Sequence, residues 1–156
     1  MQAYRVAHSA IHGNGLFAAR DLAAGEPVAP YAGERISKEE SRRRRQCDFA
    51  NVYIVHLDDD FDLDGNAPHN DARFANHSCE ANCELVLESD GVLWLKTARA
   101  VRAGEELCFD YGFSLGECLD HPCRCGSPSC CGYVLAEPLR RLLKRFVRPK
   151  NKSQRL

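Results

Sequence analysis

Two groups of side chains in this 156-residue sequence are equipped for chemistry. The first is a set of nine cysteines, five of which (Cys118, Cys123, Cys125, Cys130 and Cys131) fall within fourteen residues rich in glycine and proline. An odd number of cysteines without a secretion signal argues for reduced thiols, some of them metal ligands, rather than a disulfide framework. Cys123, Cys125 and Cys130 supply three soft thiolates over eight residues, short of the four a closed structural site needs. Cys118 and His121 lie close enough to compete, and Cys131 is the alternative to its neighbour Cys130. Cys47, Cys83 and Cys108 are most simply small buried residues. The second group is polar and aromatic. It comprises Arg73-Phe74-Ala75-Asn76-His77-Ser78-Cys79-Glu80-Ala81-Asn82-Cys83 and Gly104-Glu105-Glu106-Leu107-Cys108-Phe109-Asp110-Tyr111-Gly112. Upstream, Gly13-Asn14-Gly15 places two glycines where backbone must bend tightly or come close to something.

The elements that must position these groups read as short strands joined by turns. Val28 to Ile36 forms a strand interrupted at Gly33, after a turn at Gly25-Glu26-Pro27. Residues 83–88 and 92–98 flank Ser89-Asp90-Gly91 as a β-hairpin in which Trp94 is a packed strand residue. Ala103-Gly104 turns into a strand beginning at Glu106. Ser37-Lys38-Glu39-Glu40 fits a capping box opening a short helix, with Arg42 to Arg45 as its solvated C-terminal end or else a binding patch. Pro138 suits a first helical turn, and Leu139, Leu142, Leu143 and Phe146 share one face before Pro149 stops the pattern. That face is expected to dock on the domain or on a partner subunit, with a homodimer as one outcome.

The formal net charge of −1 hides a division. Residues 140–156 carry Arg140, Arg141, Lys144, Arg145, Arg148, Lys150, Lys152 and Arg155 and no acidic residue, leaving 13 basic against 22 acidic residues before them. An acidic body of −9 thus precedes a basic end of +8. A chain 44% hydrophobic and 28% charged reads as a globular domain with a real core. No apolar run reaches the eighteen or so residues of a membrane span, and no signal peptide opens the chain, so an intracellular location is expected. The balance of Ala and Arg over Lys suggests a bacterial or viral source, hence a cytoplasmic location; a nuclear or host-directed one stays open.

Together the Asn-His-Ser-Cys and Glu-Leu-x-x-Asp-Tyr segments resemble the signature motifs of the SET-domain protein-lysine methyltransferases. Gly13-Asn14-Gly15 and Tyr31-Ala32-Gly33 match that family in order and rough spacing. Cys123-Arg124-Cys125 with Cys130 looks like its post-SET zinc segment, and the resemblance spans about residues 5 to 133. It implies a mostly β, β-rich α+β architecture of small curved sheets, in which the two segments meet in a knot-like crossing. The expected division is a SET domain at 1–115, a post-SET zinc segment at 116–133, and a basic C-terminal helix and tail at 134–156.

The resemblance further implies S-adenosylmethionine as methyl donor and a lysine amine as acceptor. At an ordinary lysine pKa near 10.4, bringing the amine to its neutral form at pH 7 costs roughly 4 to 5 kcal/mol. An apolar, aromatic-walled channel and a nearby sulfonium both disfavour the ammonium, by desolvation and by like-charge repulsion. Tyr111 matches the catalytic tyrosine and Tyr31 a channel wall, with Tyr53 lining the pocket. Phe109 occupies a position where members carry Phe or Tyr, and Phe implies room for two or three methyls. Asn14, Gly15, Arg73, Phe74, Asn76 and His77 would surround the cofactor, with His77 and Asp110 structural rather than acid–base groups. Cys79 would be the fourth zinc ligand beside Cys123, Cys125 and Cys130.

The expected substrate is a lysine in a basic, flexible, histone-like segment. Asp58-Asp59-Asp60, Asp62 and Asp64 are candidates for an acidic wall beside it, or else form a solvated loop. Lys150 and Lys152 are candidate self-substrates. A non-catalytic module holding basic peptides is the alternative function, and nucleic-acid binding through the tail is disfavoured by the acidic body.

Overall fold

The computed structural model describes residues 2–47 and 53–146. Its strands form three small sheets. β1 (Tyr4–His8) and β2 (Asn14–Ala18) pair antiparallel around Gly13, whose φ of 46° suits glycine. β2 then pairs with β10 (Glu106–Phe109), and β10 with β7 (Asn76–His77), giving the order β1-β2-β10-β7. The last pair is parallel, with Cys108 opposite Asn76 and Phe109 opposite His77. Parallel neighbours need a long crossover, and here it contains the hairpin of β8 (Cys83–Leu87) and β9 (Leu93–Thr97). The two polar motifs are thereby laid side by side.

β8 and β9 form a second sheet with β3 (Pro27–Pro30), in the order β3-β9-β8. Along β9, Leu93, Leu95 and Thr97 are buried while Trp94 and Lys96 are half-buried, the period-2 pattern of a strand with one inner face. Leu95 meets Leu16 of β2 and Leu107 of β10 in one core cluster, all three fully buried. The third sheet has the order β4 (Glu34–Ser37), β6 (Phe61–Asp64), β5 (Ile54–His56). Gly33 precedes it because a Cβ there would collide with the Asp64 backbone. The mostly β architecture of small sheets is as the sequence led one to expect.

Helix α1 (Lys38–Cys47) starts where expected, with the Glu40 amide donating to the Ser37 hydroxyl at 3.2 Å. The Glu40 carboxylate accepts from Arg43 and Arg44, each at 2.7 Å, instead of closing the capping box. Half of the arginine run is the solvated end expected, Arg42 and Arg43 being exposed, but Arg44 and Arg45 are not. Arg44 also pairs with Glu34 (2.8 Å) and Asp64 (2.6 Å), and Arg45 donates to the Ile54 carbonyl at 3.0 Å, clamping α1 to the third sheet. The same contacts dissolve most of the expected acidic wall. Asp62 is buried and accepts from Lys38 at 2.6 Å, Asp64 is held by Arg44, and Asp58 caps the turn into β6 by accepting from the Asp60 and Phe61 amides.

After β10 come a one-turn helix, α2 (Leu115–Cys118), and α3 (Glu137–Phe146). Of the apolar face of α3, Leu139 is half-buried while Leu142 and Leu143 are 47% and 38% exposed, whereas Arg140 is 5% exposed; the Phe146 side chain lies outside the described residues. A helix carrying three bonds from one guanidinium to backbone and carboxylate acceptors satisfies a buried charge, and that requirement turns the leucines outward. Pro149, Lys150 and Lys152 lie outside the described residues. Cys47 is exposed, unlike Cys83 and Cys108, which are buried as expected.

Candidate active site

The parallel contact of β7 with β10 is fixed by two asparagines. Asn76, buried at the end of the short 3-10 helix Asp71–Phe74, donates its side-chain amide to the His12 and Asn14 carbonyls (3.2 Å each) and to Glu106 Oε1 (2.8 Å). Glu106 Oε1 also accepts from the Ser9 hydroxyl at 2.7 Å. Asn82 donates to the Glu106 carbonyl at 2.8 Å and accepts from the Cys108 amide at 2.9 Å. One carboxylate and two amides thus tie the Gly13–Gly15 loop to both motifs. A Cβ on Gly15 would stand 2.5 Å from Glu106 Oε1 and 2.9 Å from Ser9 Cβ, so the close approach that requires glycine is to Glu106.

A cavity of about 580 Å³ opens beside this junction. Of the residues singled out for the cofactor and lysine sites, Asn14, Tyr53, Arg73, Phe74, Asn76, His77 and Tyr111 line it, joined by Gly13 and by Cys123 of the cysteine cluster. Gly15, Tyr31 and Phe109 lie behind that lining. Tyr31 is 4% exposed and donates its hydroxyl to the Tyr53 carbonyl at 2.8 Å, with burial pushing its pKa well up. Phe109 is buried with its ring 4.9 Å from that of Tyr111. Phe113, His121, Arg124 and Val134 complete the cavity from the cysteine-rich end. Phe113 and Val134 were not flagged at all, and His121 and Arg124 stood only beside the cysteines, since all four reach the site through the packing of that end over β10.

Tyr111 donates its hydroxyl to the Ala75 carbonyl at 3.1 Å, and burial raises its pKa, so it stays a neutral phenol. Only the lone pairs of that oxygen remain to face a ligand. The Tyr111 amide donates to His77 Nδ1 at 3.2 Å. Nδ1 is therefore unprotonated, and the 3.6 Å approach of Asp110 to it is not an ion pair. Burial, outweighing the Asp110 charge, lowers the His77 pKa to about 4, in keeping with a neutral ring that orients its neighbours. Asp110 is occupied elsewhere: it accepts from the Gly112 and Glu137 amides, both at 2.9 Å, and from Arg140 at 3.0 Å. Among the described residues one buried side-chain polar atom has no partner, Nε of Arg73. The Arg73 guanidinium lies over the rings of Phe74 and Tyr53 at 4.9 and 5.7 Å. A cationic, incompletely satisfied group at the wall of this cavity fits a ligand with a carboxylate, as the amino-acid end of S-adenosylmethionine has.

Next to the cavity, the thiols of Cys79, Cys123, Cys125 and Cys130 lie within 4.8 Å of one another and could hold a metal ion. The Cys131 thiol donates instead to the Tyr133 carbonyl at 3.4 Å, and Cys118 to that of Leu115. His121 stacks edge-on against Phe113, 4.8 Å between centroids. Burial raises the Cys79 thiol and lifts Cys123 to about 12. Cys125 is desolvated too, but hydrogen bonds from Ser127 and the Cys79 amide outweigh that and bring it to about 6. Four thiolates this close repel one another unless a cation sits among them, and an all-sulfur set suits a soft tetrahedral ion.

The comparisons with known proteins agree with this geometry. A family model for the SET domain matches residues 13–112. The histone-lysine N-methyltransferase ash1 of Drosophila melanogaster is 38% identical over 120 residues, 72% of this chain and 5% of that protein. The H3 lysine-36 specific histone-lysine N-methyltransferase of Mus musculus is 35% identical over 161 residues, 91% of this chain and 6% of that protein. The histone-lysine N-methyltransferase trithorax of Drosophila virilis is 40% identical over 136 residues, 83% of this chain and 4% of that protein. The chain belongs to the SET-domain protein-lysine methyltransferase family. It spans about a twentieth of the length of these relatives. No helix among the described residues is long and apolar enough to cross a membrane.

Proposed function

We propose that this chain is a protein-lysine N-methyltransferase that takes its methyl group from S-adenosylmethionine and carries a structural zinc ion at Cys79, Cys123, Cys125 and Cys130. The acceptor is a lysine in a basic, flexible, histone-like segment, in line with the names of the relatives. The observation that carries the reading is Tyr111, a neutral phenol whose proton is committed to the Ala75 carbonyl beside a cavity with an unsatisfied Arg73 Nε.

When bound, S-adenosylmethionine would supply an electrophilic methyl on a sulfonium for the lysine nitrogen to take. Asn14, Tyr53, Arg73, Phe74, Asn76 and His77 would hold it, Arg73 facing its carboxylate. The Tyr111 lone pairs attract positive charge developing near them, and the aromatic walls of Tyr53, Phe74, Phe113 and Tyr111 exclude water. Loss of hydration disfavours the ammonium form of lysine and so favours the nucleophilic amine. Holding that amine at a near-attack distance lowers the barrier further. With Phe109 rather than a second phenol behind Tyr111, the site has room for di- and trimethyl products. Cys79 of the first motif and Cys123, Cys125 and Cys130 of the segment that follows His121 would together hold a zinc ion, whose charge would keep that segment against the cavity.

Incubation with labelled S-adenosylmethionine and histone-tail peptides tests the reading. Label should appear on lysine and fall by at least ~100-fold in Tyr111→Phe. A folded wild-type protein that binds the cofactor and labels no lysine across a broad peptide panel refutes it, leaving a peptide-binding module.

A further inference from the structure

Arg140 lies outside both signature motifs and outside the cysteine cluster, yet its side chain is among the most buried of the charged groups described. Its Nη1 donates to Asp110 Oδ2 at 3.0 Å and to the Leu135 carbonyl. Its Nη2 donates to the Cys79 carbonyl at 3.1 Å. A single guanidinium thus touches the residue before Tyr111, the backbone of a cluster cysteine and the segment that leads into α3.

Asp110 transmits this contact. The same Oδ2 accepts from the Glu137 amide in the first turn of α3, where a carboxylate is favoured by the helix dipole, and Oδ1 accepts from the Gly112 amide. Asp110 and Gly112 bracket Tyr111, whose own amide donates to His77 Nδ1. The backbone on both sides of the phenol is therefore held by one carboxylate, and that carboxylate by Arg140. Lysine could not replace this clamp, because a point donor cannot serve three acceptors in a planar fork.

We propose that Arg140 is a positioning residue for methyl transfer, which locks α3 and the Cys79 loop onto Asp110 and thereby sets the orientation of Tyr111 against His77. The proposal rests on the methyltransferase reading above. A small displacement of Tyr111 lowers the rate of the chemical step more than it weakens cofactor binding: Tyr111 and His77 are two walls of the cavity, but its other walls, among them Asn14, Arg73 and Phe74, make no hydrogen bond with Arg140 or Asp110.

The test uses Arg140→Met, Arg140→Lys, Asp110→Asn and the double variant Asp110→Asn with Arg140→Met. In Arg140→Met, kcat should fall between ~10- and ~100-fold, and cofactor affinity measured by calorimetry should stay within ~3-fold, with unchanged metal content. Arg140→Lys should be intermediate, and the double variant no slower than Asp110→Asn alone, because the two residues act as one unit. If Arg140→Met fails to fold, Arg140→Lys with its own Asp110→Asn double carries the comparison. Retention of kcat within ~2-fold, losses that multiply in the double variant, or loss of metal in step with activity overturns the proposal. Imidazole nitrogen shifts of His77 give a readout independent of turnover. They should move in Arg140→Met even if the wild type transfers no methyl, and unchanged shifts also overturn the proposal.

Discussion

The carboxylate of Glu106 accepts from the side-chain amide of Asn76 at 2.8 Å, and this bond is the joint between the two halves of the site. Glu106 leads β10 and Asn76 opens β7, thirty residues earlier, so the contact exists only because those strands lie in parallel register. Through Ser9 on one side and the His12 and Asn14 carbonyls on the other, the same pair fixes the loop that walls the cavity.

Gly15→Ala should weaken cofactor binding without entering the cavity. Its methyl would displace Glu106 from Asn76, and an overpacked site of this kind costs about 1–3 kcal/mol. Calorimetric titration with S-adenosylmethionine should show the loss in Gly15→Ala and in Glu106→Leu. Glu106→Gln, which keeps an acceptor oxygen for Ser9 and Asn76, should lose much less.

Removal of the metal should open the cysteine-rich end. Purified protein is expected to release ~1 zinc per chain to a chromophoric chelator, as a closed four-thiolate site requires. Cys130→Ser should lower that content and the melting temperature, whereas Cys131→Ser should leave both near wild type, because the Cys131 thiol bonds to Tyr133 outside the cluster. Full activity after exhaustive chelation would count against the zinc assignment.

Phe109→Tyr should narrow the product range. Phe109 sits 4.9 Å from Tyr111 in a buried position, so a new hydroxyl there takes space beside the Tyr111 phenol. Mass spectrometry of peptide products at long times should show di- or trimethyl-lysine with the wild type and chiefly monomethyl-lysine with the variant. Monomethyl product from both would remove the role given to Phe109.

Acid should loosen α1 through Glu40. Hydrogen bonds from Arg43 and Arg44 pull its folded pKa down to about 2, below an unfolded value of about 4.3. The unfolded state then binds more protons between those values, so the stabilisation is complete above about pH 5 and lost as pH falls towards 2. The fall in urea midpoint over that window should be smaller in Glu40→Gln than in wild type. Because solvent still reaches Glu40, whose side chain is 30% exposed, added salt should reduce the difference.

Much of the site was legible because its signals are local. Alternation along β9 and the Ser89-Asp90-Gly91 turn specify the hairpin from neighbours in sequence, and the Ser37 cap starts α1 within one turn of itself. The motif residues Asn76, His77 and Tyr111 and the thiols Cys123, Cys125 and Cys130 were visible as types at spacings, and the family resemblance added Cys79. Glu106 stood inside a motif without a role, since nothing local says that its carboxylate will meet Asn76.

By itself, then, the sequence determined which side chains this protein can bring to chemistry and which short elements carry them, because backbone periodicity and turn chemistry act over a few residues. The tertiary structure alone decided which charges would be desolvated. The 3.6-residue period of α3 put Leu142 and Leu143 on one face but could not say that this face points outward, since that depends on where Arg140 finds Asp110, Leu135 and Cys79. Likewise Lys38 and Arg44 of α1 and Asp62 and Asp64 of β6 read as open charge until strand and helix met, when Lys38 paired with Asp62 and Arg44 with Asp64. A buried charge takes its place from acceptors distant in the chain, and only the folded arrangement brings those acceptors to it.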